Sequence, residues 1–375
     1  MRGRAARARA GGAHRLRDLP GPAEAREGAQ GVARAQGALD VAPCAEGRRA
    51  RRRRRCGDSR LRRLDCAGRR EHRRVSTLAV VAPPSEVLVR SAGVCEEITR
   101  RRARNFYYGL RLTPEPERWA MFIIYAWMRQ ADDIADAAGP DAEERCRRIN
   151  LYRGATDAAF AGAPVDDSPL WAGFTEVVRR WPLRRQDFHD MLDGQLEDIR
   201  AVSLESWLDL RTFCYRVAST VGLICIHVWG FHDPEAPKLA IDRGIAFQLT
   251  NVLRDFREDF DEGRVYLPQS DFRAMELTPE MLRRWEPADR CAEFIRAQAE
   301  RARWHYQSSI TLDLMVTRSC EPTLWAMTTI YRGLLEKILA DPERVVRKRR
   351  IRLSAARKAW IAFRARFKAA SSGGA

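Results

Sequence analysis

The chain has 375 residues and a formal net charge of +17, long enough for a sizeable buried core and basic enough to suggest nucleic acid or membrane as a partner. Residues 1–75, however, hold 22 Arg, no Lys and 8 acidic residues, so +14 of that charge lies in the tail and the remaining chain is close to neutral. This argues against a nucleic-acid-binding body and directs the search to local constellations of side chains.

The N-terminal segment (Arg2, Arg4, Arg7, Arg9, then Arg51 through Arg55) has few large apolar residues and no lasting period, and residues 1–75 are expected to be a disordered Arg-rich tail or a start-site extension. Asp18, Glu24, Glu27 and Asp40 fit a transit peptide badly, and no apolar core of a secretory signal follows the N-terminus. Nine cysteines without a CxxC pair point to a reducing cytoplasm and away from a disulfide framework or zinc site. No uninterrupted apolar run reaches bilayer length, so a soluble or peripheral protein is expected.

From about residue 90, long proline-free windows over 117–139, 183–233, 238–267, 288–321 and 323–341 alternate with short Pro/Gly breaks, and no alternating strand pattern or internal repeat appears. These features predict a single all-α domain over 90–345, followed by a basic segment over 346–375.

Within the first window, Met121 to Met128 is apolar in nearly every direction, which predicts a helix buried on most sides. Tyr125, Arg129, Asp132 and Asp136 follow in steps of 4, 3 and 4 and share one face of it. Two carboxylates one turn apart on such a helix repel each other and are costly to desolvate unless a cation lies between them. Magnesium suits the place, because it takes oxygen ligands and also binds phosphates.

The window 238–267 repeats the arrangement. Gly244, Gln248, Asn251, Asp255 and Asp259 form one polar stripe, with Ile245, Leu249, Val252, Leu253 and Phe256 on the other faces. Either motif alone is read most simply as a solvated helix face. Together, with arginines beside both, they suggest two acidic helices holding Mg²⁺ on a diphosphate, which then leaves to give an allylic cation. Phe106, Tyr107, Tyr108, Tyr125, Phe213, Tyr215 and Trp229 are candidates for a dry aromatic wall around that cation, with core packing as the plainer reading of each.

These segments resemble the squalene/phytoene synthase family over about residues 90–360. The likeness rests on Asn105 to Pro114, Ile124 to Asp136, Tyr215 to Gly222 and the long run Gln248 to Pro268, with weaker likeness in Ile330–Ile338 and Arg350–Ser354. The resemblance implies an all-α class I isoprenoid synthase bundle with a central active-site cavity, acting on prenyl diphosphates. It implies Asp132, Asp136, Asp255 and Asp259 as the metal-binding and catalytic carboxylates. Arg129, Arg254 and Arg264 would contact diphosphate, and Gln248 and Asn251 would line the cavity. Tyr266, also taken as catalytic, and Tyr331 would lie near the leaving group, and Phe106 and Val217 would join the substrate-binding set.

In this family one diphosphate ionises, the cation alkylates a second prenyl diphosphate, and proton loss closes a cyclopropane. The expected product is presqualene diphosphate from two farnesyl diphosphates, a precursor of squalene and hopanoids. The alternative is phytoene from two geranylgeranyl diphosphates, for carotenoids. NADPH is expected only if a squalene-forming half-reaction is present. Phe213 departs from the tyrosine that many members carry, and Tyr215, about 200° further round a helix, is not expected to replace it.

The competing readings are a head-to-tail elongase or terpene cyclase, against which the second motif speaks, and a catalytically inactive assembly factor, against which the four retained aspartates speak. A cytoplasmic location is expected. Arg344 to Lys368 has an amphipathic character compatible either with a peripheral contact on anionic membrane or with a solvated last helix.

Overall fold

A computed structural model describes residues 85–102, 107, 109–200 and 203–371. The expected tail over 1–75 lies outside the described residues, as do Phe106 and Tyr108. The first half consists of α1 (Glu86–Arg102), α2 (Glu117–Ala135), α3 (Ala142–Phe160), α4 (Pro169–Arg180) and α5 (Arg185–Ile199). Then α6 (Trp207–Cys214) runs through a π-helical turn, Tyr215–Ser219, into α7 (Thr220–Trp229). The second half is built on α8 (Ala236–Asp261), α9 (Gln269–Ala274), α10 (Pro279–Arg284), α11 (Ala288–Ser308), α12 (Glu321–Ala340) and α13 (Ala355–Ser371). Among the described residues no strand forms, only an isolated bridge between Phe231 and Val316.

Local chemistry sets many of these boundaries. Asp141 caps α3 by accepting from the Glu144 amide at 2.8 Å, and Ser168 caps α4 with Pro169 in its first turn. The window 183–233 divides into α5 and α6–α7 without a proline, because Ser206 and Asp209 form a capping box that starts α6. Conversely, α8 and α12 begin before Pro237 and Pro322, which sit in first turns where a missing amide hydrogen costs nothing.

The buried side chains fall into two apolar clusters. The first joins α1–α5 and α7 to the start of α8, and the second joins α6 and the middle of α8 to α9–α13. As expected, α2 is buried on most sides, from Ala120 through Met128. Trp127 is fully buried, 5.0 Å from Phe188 and 5.6 Å from Phe174 between ring centroids, and its Nε1 donates to Thr156 Oγ1 at 3.1 Å. This packing fixes the rotation of α2, and truncating Trp127 should cost about 3–5 kcal/mol. Ile241 and Phe247 of α8 pack against both clusters, so α8 forms the seam between them.

At Gly244 the seam is tightest. A Cβ there would lie 2.4 Å from Ser219 Cα, so α8 can cross the π-helical turn only with glycine at this point. Trp207–Trp229 is also long and apolar enough by composition to cross a bilayer, yet here it is a core element, contributing Phe213, Cys214, Leu223 and Ile224 to the two clusters. The six described cysteines are free.

Candidate active site

The seam opens into a cavity of about 400 Å³. Its walls include Tyr125, Arg129, Asp132 and Asp136 from α2, and Gln248, Asn251, Arg254, Asp255 and Asp259 from α8. Arg264 and Tyr266 from the loop after α8, Phe213 from α6 and Val217 from the π-helical turn also line this cavity. The two polar stripes therefore face one space, although Asp136 caps α2 and is not within it: its amide donates to the Asp132 carbonyl at 2.8 Å. Gly244 is a packing contact, so the chemical part of the second stripe starts at Gln248.

The carboxylates differ in their surroundings. Burial pushes Asp132 up to about 7, with the charges of Asp136 and Asp133 adding to it and Arg129 and a hydrogen bond from Gln195 opposing it. Its side chain remains 38% exposed, so it is open to ligands in the cavity. Asp259 is likewise raised to about 7 by burial and by the charge of Asp255, against Arg264. Asp255 is the exception. Burial would raise it, but Arg254, whose Nε donates at 2.7 Å, and Arg350, whose Nε donates at 2.9 Å, hold it below the ordinary carboxylate value.

Arg264 lies between the walls, 3.7 Å from Asp136 and 3.8 Å from Asp198. Arg129 pairs with Asp133 and lies 3.8 Å from Asp132, while its Nε is buried without a hydrogen-bond partner. The site thus contains two carboxylates whose charge is made costly by burial, alongside a guanidinium with an unused donor. A divalent cation bound to a diphosphate would answer both needs. Among the described residues no three His, Cys, Asp or Glu side chains converge as a ready-made metal cage. That fits magnesium, which is commonly held by one or two carboxylates together with substrate phosphates.

Behind this cavity is an apolar chamber of about 200 Å³, sharing Val217, Val221, Cys225, Gln248, Asn251 and Met327 with it. Trp229, Phe247, Leu312 and Leu324 also line the rear chamber, and so does Tyr331, which stacks on Phe247 at 4.5 Å between centroids. Its ring thus borders the rear chamber, while its hydroxyl is within hydrogen-bonding reach of Arg254 and Asn251 on the charged side. Of the expected aromatic wall, Tyr125, Phe213 and Trp229 line these spaces. Tyr107 instead packs near Phe122 and donates to Glu96 at 3.0 Å, and Tyr215 donates to Asp190 at 2.8 Å. Phe213 stacks on Tyr266 at 4.9 Å, so Tyr215 does not take its place.

Three features escaped the sequence reading. Methionines 121, 128, 191 and 327 line the cavity, and α5 contributes Gln195 and Asp198. Gln195 donates to Asp132 at 3.0 Å, and Asp198 accepts from the Tyr266 hydroxyl at 2.6 Å. The steps from Met191 to Gln195 to Asp198 are 4 and 3, the same periodicity that identified the acidic helices.

Residues 99–357 match the model of the squalene/phytoene synthase family. The chain is 34% identical over 268 residues to a 15-cis-phytoene synthase of Synechococcus elongatus, covering 68% of this chain and 86% of that one. It is 34% identical over 274 residues to a phytoene synthase of Mycobacterium tuberculosis, covering 72% and 88%. Among solved structures, a dehydrosqualene synthase in complex with a ligand superimposes with a TM-score of 0.68 at 26% identity, covering 76% of this chain and 98% of that one. The all-α isoprenoid synthase bundle expected from the sequence is thus the fold observed, and the chain belongs to the squalene/phytoene synthase family of prenyltransferases, which join two prenyl diphosphates head to head.

Proposed function

We propose that the protein condenses two geranylgeranyl diphosphates to phytoene without a reductant. The observation that carries this reading is the continuity of the charged cavity with the apolar chamber behind it, one space with a polar mouth and an oily end. The sequence alone favoured presqualene diphosphate. Identity of 34% to two phytoene synthases supports the longer substrate instead.

In this reading Asp132, Asp136, Asp255 and Asp259 hold Mg²⁺, which when bound neutralises diphosphate oxygens and makes the group a better leaving group. Arg129, Arg254 and Arg264 bind the same oxygens by charge-assisted hydrogen bonds and orient the diphosphate at the mouth. Val217, Gln248 and Asn251 line the passage along which the prenyl chains lie. Tyr125 and Phe213 present ring faces to the cation, and the methionine wall excludes water that would quench it. Tyr266 commits its one hydroxyl hydrogen to Asp198 and so holds the loop that carries Arg264 at the mouth, while Tyr331 stacks on Phe247 beside the chain.

The test incubates the protein with Mg²⁺ and farnesyl or geranylgeranyl diphosphate, with and without NADPH, followed by mass spectrometry of extracted products. A forty-carbon product independent of NADPH and absent from an Asp132→Ala, Asp255→Ala double variant is expected. A thirty-carbon product formed in preference would return the assignment to the farnesyl reading. No coupled product from either substrate would overturn both.

A further inference from the structure

Helix α13 presents two unlike faces. Ile361 and Ala365 are buried in the second apolar cluster, and the Arg364 guanidinium lies 5.9 Å from the Trp325 ring centroid, so the helix is docked on α12. On another face Trp360 and Phe363 are 56% and 52% exposed, with their rings stacked at 5.8 Å between centroids. Phe367 extends the strip, 4.6 Å from Phe363. Single exposed aromatics are ordinary, but a stacked strip along one helix face calls for an apolar neighbour.

The segment that carries the strip is cationic throughout. Residues 344–375 contain Arg and Lys but no Asp or Glu. Lys348, Arg349, Arg350 and Arg352 line a basic recess in the loop that leads to α13, and Arg357 and Arg364 are exposed on the helix itself. Arg347 and Arg350 are engaged by carboxylates of the body, whereas Lys348, Arg349, Arg352 and Arg357 have no carboxylate partner among the described residues.

We infer that α13 and the basic loop before it form a docking face for an anionic lipid bilayer. The aromatic strip enters the boundary between headgroups and acyl chains, and the flanking cations lie over lipid phosphates. An apolar protein surface would match the strip alone. The cationic excess of the segment that carries it matches the negative potential of a leaflet. Such a face would bring the mouth of a prenyltransferase to the phase in which prenyl chains dissolve, whichever chain length the enzyme prefers.

Trp360 provides the direct test, because the cationic segment 1–75 contains no tryptophan and its own binding to lipid leaves no tryptophan signal. Full-length protein is mixed with phosphatidylglycerol vesicles whose acyl chains carry bromine, and tryptophan quenching and co-sedimentation are both read. Quenching is expected with the wild type and largely lost in Trp360→Phe, which still sediments. The pair Trp360→Ser, Phe363→Ser should partition about tenfold more weakly while keeping turnover on detergent-dispersed substrate.

Sedimentation without quenching would assign lipid binding to the tail and overturn the proposal. Equal quenching by brominated phosphatidylcholine would remove the role of charge, and a dimer dissolved by the serine pair would reassign the strip to a second copy of the chain. If the serine pair fails to fold, the comparison of wild type with Trp360→Phe still decides. None of these outcomes depends on the product formed, so the docking face and the phytoene reading can fail separately.

Discussion

Tyr266 donates its phenolic hydrogen to Asp198 Oδ1 at 2.6 Å, joining the loop after α8 to the end of α5 across the cavity. Burial and the neighbouring Asp198 charge raise the phenol well above its ordinary value, so it acts as a hydrogen-bond donor and not as a phenolate. Tyr266→Phe keeps the stack on Phe213 and removes only the hydroxyl. It should lower kcat on the order of 10²-fold with little change in KM. Asp198→Asn combined with Tyr266→Phe should be scarcely worse than Tyr266→Phe alone, since the two groups act as a unit. Steady-state kinetics on the four proteins check this, and additive losses would separate the roles.

Asp132 and Asp255 occupy opposite walls in opposite electrostatic states, one short of positive charge and one held by two arginines. Asp132→Asn and Asp255→Asn should each lower kcat by about 10² or more, and chelation should abolish activity that Mg²⁺ then restores. Asp132→Asn should also relieve repulsion in the metal-free protein and leave its thermal midpoint unchanged or higher. Thermal scans beside turnover assays test both points. A lowered midpoint would show that the carboxylate stabilises the fold.

How much of this site could be read from the sequence follows from what periodicity encodes. Steps of 3 and 4 place side chains on one face of a helix, and this was enough to bring Asp132 and Asp255 to the same cavity. Which way a face points depends on tertiary contacts. Tyr107 and Tyr215 therefore turned out to serve Glu96 and Asp190. The break between α5 and α6 was missed because a capping box marks it and no proline does, and the π-helical turn at Tyr215–Ser219 has no periodicity of its own. Gln195 and Asp198 carried a legible pattern but lacked a second carboxylate one turn away to draw attention.

Trp229 lines the apolar chamber with Leu312 and Leu324, at the opposite end from the carboxylates. Trp229→Leu exchanges a double ring for a shorter side chain while keeping the site apolar, so the chamber should lengthen. In competition between twenty- and twenty-five-carbon diphosphates, the variant should favour the longer one about tenfold more than the wild type does, a discrimination typical of a few methylene groups in an apolar pocket. An unchanged ratio would place the end of the prenyl chain elsewhere.

Gly244 is where α8 touches the π-helical turn. Gly244→Ala would ordinarily stabilise a helix by roughly 0.5–1 kcal/mol. Here the added Cβ meets Ser219 Cα at 2.4 Å and Ser219 N at 2.7 Å, both backbone atoms that cannot swing aside. Overpacking of this kind costs about 1–3 kcal/mol, so a net loss is expected. Urea denaturation should show a lower midpoint with unchanged slope. A gain in stability would mean that the two helices separate easily.

His305 lies buried beneath Trp207, with Nδ1 2.9 Å from Asp242 Oδ1 and Nε2 without a partner. Burial lowers its proton affinity below the ordinary value of 6.5, against the pull of Asp242 and with help from Arg211. The folded state therefore binds fewer protons here than the unfolded chain does. Stability from this site is complete above about pH 6.5 and declines as pH falls through that value. His305→Asn offers Asp242 a neutral amide donor, costs some packing at all pH values and removes the titration. The difference in unfolding free energy between wild type and variant, measured from pH 8 to pH 5, should therefore shrink below pH 6.5. A constant difference would mean that the imidazole titrates alike in the folded and unfolded states, and a difference that grows as pH falls would mean that it is charged in the fold.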